Sequence, residues 1–255
     1  SCTPNFLLRC SARCWAEYTK RWWPPAQPKQ EPINFHITDN DLGAGGAKTK
    51  FKANIEAIRL LQTLDAEQRQ ATAEEQKVLS RYVGWGGIPQ AFDEKNVDWA
   101  KEYAELKSLL PADEYSEARA STLNAFYTSP TVIKAMYEAL SNMGLSKGNV
   151  LEPSCGVGNF MGLVPESMEN IKMYGVELDS VSGRIAQQLY QKNKIAVQGF
   201  ETMQFPDSFF DCVVGNVPFG NYKVPDKRLT AIISLSTITL LRKVLTLFVR
   251  AAWWR

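Results

Sequence analysis

The chain has 255 residues, 45% of them apolar, 22% charged and 11% aromatic. This is globular composition with enough apolar residues for a sizeable core, and it excludes a disordered tail, a collagen-like repeat and a disulfide miniprotein. The formal charge is +2, but six basic residues follow the last acid, Asp226, so the chain up to that point is net acidic. A globally basic nucleic-acid binder is excluded, and any contact with nucleic acid has to be local.

Residues 1–32 are biased toward Cys and Trp and close on the proline-rich PPAQPKQEP, an irregular segment and linker that can also be read as out of frame. The five cysteines (2, 10, 14, 155 and 212) form no CxxC pair and His36 is the single histidine, so no metal site is predicted. The chain begins with Ser and carries no signal-peptide pattern, and its longest apolar run, Leu229 to Leu241, is shorter than the roughly 20 residues of a membrane span. These features predict a soluble fragment from a reducing, cytoplasmic (bacterial) compartment, with no membrane partner.

Residues 33–120 read as a helical annex. LGAGGAKTK fails the phosphate-loop pattern, because Leu42 stands where the first Gly belongs and Ala47 precedes Lys48. It is expected to lead into a helix over Lys52–Leu64 with Ile55, Ile58, Leu61 and Leu64 on one face. Thr72 and Glu75 form a capping-box pattern that predicts a second helix, ending at YVGWGG (82–87), where Trp85 is expected as an aromatic plug. Short polar helices are expected over 93–120.

From 121 to 228 the pattern changes. After NAFYTSP come the helix-like TVIKAMYEALSNMG, a short strand NVLE, a glycine turn and a new helix. The strand MYGVELD, the helix SVSGRIAQQLYQKN, the strand IAVQGFE and a fourth strand SFFDCVVGNVPFG follow. Strands alternating with helices at this spacing predict an α/β fold with a parallel sheet.

Backbone N–H groups at such a glycine turn can face either a dinucleotide or S-adenosylmethionine. Met161 stands where the dinucleotide fingerprint needs its third glycine. Glu152 enters the turn, where a carboxylate repels a pyrophosphate and suits the ammonium of a methionine moiety. Glu177 ends the second strand 21 residues after Gly156, placed to accept from ribose hydroxyls. Read singly, Glu152 could cap a helix and Glu177 could be a solvated strand end; together they favour S-adenosylmethionine over NAD. The tetrapeptide Asn216-Val217-Pro218-Phe219 after the fourth strand offers a side-chain amide oxygen and a backbone carbonyl to an exocyclic amine, with Phe219 as a stacking face. Taken alone, it is an ordinary turn beside a core aromatic.

NVPF resembles the [DNS]-P-P-[YF] motif of amino-methylating DNA methyltransferases of the adenine-N6 type, with Val217 for the first Pro. EPSCGVGNF is similar to their cofactor loop, and FYTSP to the segment upstream of it. Residues 33–227, with LGAGGAKTKF, YVGWGG, NAFYTSP and NVPFG, look like the methylase portion of large bacterial methylase–helicase proteins of phages and conjugative elements. The resemblance implies a Rossmann-like class I methyltransferase core with S-adenosylmethionine as cofactor, DNA with a flipped adenine as partner, and a helicase region in a longer parent. It implies methionine-moiety contacts from Tyr127, Thr128 and Pro130, and a cofactor turn of Glu152, Pro153, Cys155, Gly156 and Gly158. It further implies ribose binding by Glu177, an adenine-side contact from Glu201, and target-base contacts from Asn216, Pro218 and Phe219.

The last 27 residues (229–255) contain no Gly, Pro, Asp, Glu or Asn. Their back-translation permits VRPGGVVA in another frame, which resembles the fifth strand of such methylases. The expectation is a frameshift near Arg228 that leaves the sheet incomplete at its C-terminal edge; a genuine basic helix or partner-binding tail is the alternative. Two further readings stand beside the enzyme: an inactive methylase-fold remnant that at most binds the cofactor, and methylation of another amide or amine, such as protein Gln or an rRNA base.

Overall fold

The computed structural model describes residues 31–40, 43–123, 127–206 and 209–216. The expectations for the linker, the tail, Pro218 and Phe219 lie outside them. The annex begins with α1 (Ala47–Glu67), a turn and a half longer at its start than the apolar pattern required, with Ile55, Ile58, Leu61 and Leu64 all buried. Then comes α2 (Ala73–Leu79), held by the full capping box: Glu75 N–H donates to Thr72 Oγ1, and Thr72 N–H to the Glu75 carboxylate. Arg69 grips the same carboxylate and, with the Thr72 bonds, lowers the Glu75 pKa to about 2. A 3₁₀ turn (Val97–Trp99) leads into α3 (Ala100–Leu109), and α4 (Ala112–Ser121) ends the annex.

Pro130 opens α5 (Pro130–Asn142), whose fixed φ suits a first helical position. The core then runs β1 (Lys147–Glu152), α6 (Asn159–Gly162), β2 (Asn170–Glu177), α7 (Ser180–Leu189), β3 (Lys194–Val197) and β4 (Cys212–Val213). All strands are parallel, in the order β3-β2-β1-β4, with Glu152 opposite Gly175, Glu177 opposite Val197 and Leu151 opposite Val213. That order and its crossovers are those of a Rossmann-like α/β fold, whose switch point lies between β1 and β4. Two predicted elements are shorter than their sequence patterns. Helix α6 is a single turn because Pro165 disfavours helical backbone at Val164, and β4 has two ladder residues.

Side chains alternate across the sheet. Val150, Ile171 and Met173 face a cluster shared with α5, α7 and the annex, which includes Leu61, Trp85, Ile133 and Leu189. Leu151, Tyr174 and Val176 face a second cluster closed by Phe200, Phe205, Phe209 and Phe210. The segment 33–37 is tied to the core by backbone bonds, Phe35 N–H to Leu189 O (2.7 Å) and Ile37 N–H to Gly162 O (2.8 Å). Among the described residues no helix is long and apolar enough to cross a membrane, and no group of three or more His, Cys, Asp or Glu is placed to hold a metal ion.

Candidate functional site at the strand ends

Parallel strands deliver their C-terminal residues to one edge, and at a switch point the following loops diverge and leave a crevice. Glu152 at the end of β1 and Asn216 after β4 flank that crevice and line one small cavity, together with Tyr127, Thr128, Ser154, Cys155, Asn159 and Phe160. A larger cavity of about 480 Å³ lies in the annex between segment 35–39, α1 and the end of α2, and shares no residue with the strand-end site.

The turn after β1 is fixed by Cys155 N–H to Val176 O (3.0 Å) and Gly158 N–H to Cys155 O (2.8 Å). Gly156 and Gly158 have φ of 53° and 81°, in the left-handed region. Space also demands glycine. A Cβ on Gly156 would stand 2.5 Å from Tyr127 Cε1, and one on Gly158 2.5 Å from Tyr190 Cε2. The turn is therefore shaped by two aromatic rings packed on bare backbone.

Glu152 is 3% exposed, and its Oε2 has no hydrogen-bond partner among the described residues. Burial, reinforced by the Glu177 charge, pushes its carboxyl well above the usual carboxylate range. An orphaned buried acceptor beside a cavity asks for a donor, and a raised carboxyl regains its charge when that donor is a cation.

Glu177 differs from expectation in having both oxygens engaged. Its Oε2 accepts from Gly156 N–H (2.7 Å) and its Oε1 from Asp179 N–H (2.9 Å). It therefore clamps the glycine turn to the end of β2, and its remaining lone pairs are what a ribose could use. Burial raises its pKa and those two N–H bonds oppose the shift. Beside it, Leu178 is 69% exposed, an apolar face at the strand end that sequence reasoning missed. Ser182 was missed as well: its Oγ lies 3.1 Å from Tyr127 Oη, and its N–H donates to Asp179 Oδ2 (2.9 Å). The D-x-x-S cap spacing of residues 179–182 was the available signal.

Tyr127, Thr128, Glu152, Cys155 and Asn216 thus meet at one cavity. Pro130 starts α5, and Pro153 links strand to turn without lining the cavity. Glu201 sits in a 3₁₀ turn after β3 (Phe200–Thr202), its carboxylate folded back toward Gly199, and does not line the cavity.

A family profile described as a methyltransferase domain matches residues 151–238, a span that opens at the last residues of β1 and takes in the glycine turn and Asn216. These matched residues support a methyltransferase. The defense against restriction protein B of Escherichia phage P1 is 30% identical over 191 residues, 74% of this chain and 7% of that protein. Two proteins of Paramecium bursaria Chlorella viruses also match. The type II methyltransferase M.CvrRI of virus XZ-6E is 29% identical over 128 residues, covering 50% of this chain and 30% of that protein. The modification methylase CviBIII of virus NC1A is 26% identical over 105 residues, covering 41% of this chain and 28% of that protein. The chain thus spans less than a third of the length of each of these relatives.

Proposed function

We propose that the chain belongs to an enzyme that transfers a methyl group from S-adenosylmethionine to the N6 amine of adenine in DNA. The observation that carries the cofactor reading is Glu152, a buried carboxyl with an orphaned oxygen at the switch-point cavity. That acceptor fits an α-ammonium and, once ionised, repels a pyrophosphate. Tyr127 and Thr128 line the same cavity, Glu177 stands at the next strand end, and Leu178 offers an apolar face for a flat ring. Bound there, S-adenosylmethionine would supply an electrophilic methyl group. The chain's part is to hold the acceptor: the Asn216 side-chain oxygen takes a hydrogen bond from an exocyclic NH₂, which draws the nitrogen lone pair out of conjugation and orients it. Pro218 and Phe219 would complete the base site. The relatives are named for defence against restriction and for modification, a chemistry of DNA, and this supports DNA as the substrate. A helicase region in a longer parent is part of the same proposal, as are a helical annex over 33–120 and a bacterial cytoplasmic setting.

The test is paired. Calorimetric titration of the full chain with S-adenosylmethionine, with NADH as control, is run beside transfer of labelled methyl to adenine-containing DNA. Asn216→Ala should abolish transfer and leave cofactor affinity within about threefold, near 0.7 kcal/mol. Parallel loss of binding would sink the assignment of Asn216. Cofactor binding without transfer by the parent chain would mark a remnant, and transfer to protein glutamine or rRNA alone would move the substrate.

A further inference from the structure

The YVGWGG segment of the annex, which sequence alone reads as a helix stop, lies against the proposed methionine-side tyrosine. Its anchor is Asn54 on α1, which is fully buried. Asn54 Nδ2 donates to Gly84 O (2.6 Å) and its Oδ1 accepts from Val83 N–H (2.9 Å). One side-chain amide thus satisfies the N–H and C=O of successive loop residues, as a strand neighbour would. Tyr82 and Trp85 are buried on either side of this point and keep water from those bonds.

Held there, Gly84 has a φ of 69°, and a Cβ on it would lie 3.0 Å from Tyr127 Oη and 3.2 Å from Cζ. The Tyr127 ring is therefore bounded by two glycine backbones, Gly84 of the annex and Gly156 of the cofactor turn. From its hydroxyl a chain of contacts closes on itself. Tyr127 meets Ser182, Ser182 N–H is held by Asp179, Asp179 N–H by Glu177, and the other Glu177 oxygen holds Gly156 N–H. The annex touches this circuit at Gly84.

We propose that Asn54 is a positioning residue for the cofactor site. By fixing Gly84 it sets the place of the Tyr127 ring, and through that ring the glycine turn. This inference rests on the cofactor reading above and assigns the annex a part in it. A residue that merely stapled the loop would change stability and leave the turn and the ligand alone.

The test is a double-mutant cycle on the full chain, Asn54→Ala with and without Tyr127→Ala, read as S-adenosylhomocysteine affinity by calorimetry. Hydrogen exchange of the Gly156 amide without ligand is the second readout. Asn54→Ala should weaken binding and speed Gly156 exchange by about tenfold each, and should add little once Tyr127 is truncated. Equal losses in both Tyr127 backgrounds, or a folded Asn54→Ala chain unchanged in both readouts, overturn the proposal. Should Asn54→Ala not fold, Gly84→Ala keeps Asn54 and crowds Tyr127 instead. Its loss should shrink when Tyr127→Ala opens the space, and a loss of the same size in both backgrounds again overturns the proposal. A parent chain that binds no cofactor, with Gly156 exchange still coupled to Asn54, defeats the cofactor reading and leaves the coupling standing.

Discussion

Glu152, the proposed ammonium-binding group, is a buried carboxyl with an oxygen unpartnered among the described residues. Its folded pKa is raised by burial and by Glu177, so between the ordinary carboxylate value of about 4.3 and that raised value the folded chain holds a proton that the unfolded chain has released. The stabilising contribution is complete below the unfolded pKa and is lost as pH rises through the folded one. Glu152→Gln keeps the shape and cannot ionise. We expect it to flatten the decline in melting temperature above pH 4.5 while weakening cofactor binding. Thermal melts of both chains across pH decide the matter; parallel curves would mean that Glu152 is not the titrating group. If a cation fills the site, binding also expels the proton, so the calorimetric heat should vary with the ionisation enthalpy of the buffer.

Between elements, the annex and the core are joined by charge as well as by apolar contact. From α7, Arg184 reaches Asp65 on α1 and Glu114 on α4, with 27% of its side chain exposed. Arg184→Ala leaves two annex carboxylates, Asp65 and Glu114, without the cation that bridges them to the core. The expected cost is roughly 1–2 kcal/mol, between the values of exposed and buried pairs, and it should shrink in high salt. A denaturation midpoint that does not move would mean that the Arg184 pairs add nothing to the apolar contacts and hydrogen bonds of the seam. Elements written in local pattern were legible in the sequence: the α1 stripe, the Thr72–Glu75 capping box, β1 and β2. So was the meeting of Glu152 with Asn216, because parallel strands end on one side. What stayed hidden depends on distant partners. Gly84 acquires its meaning from Tyr127, 43 residues on. Glu177 is met by two backbone N–H groups that come from turns whose approach no spacing rule specifies. Glu201 lies in the 3₁₀ turn after β3 and does not line the cavity, a placement that motif position does not specify.

Over the molecule as a whole, one apolar cluster runs from Ile37 through α1 and Trp85 to the helix-covered face of the sheet. A shared core unfolds as one unit, so the slowest-exchanging amides of α1 and β1 should report the same opening free energy. Two distinct values would show that annex and core fold independently. The 33–37 segment, stitched by main-chain bonds to Leu189 and Gly162, bears on how this polypeptide can be exchanged between genes. A crossover near residue 120 would look clean in the sequence, at the border of helical and alternating patterns. It would nevertheless part Gly84 from Tyr127, Asp65 from Arg184 and Phe35 from Leu189 at a stroke. The smallest piece that can be transplanted with the proposed ligand site intact therefore starts at Ile33, and homologous replacements should be sought there rather than at the first strand.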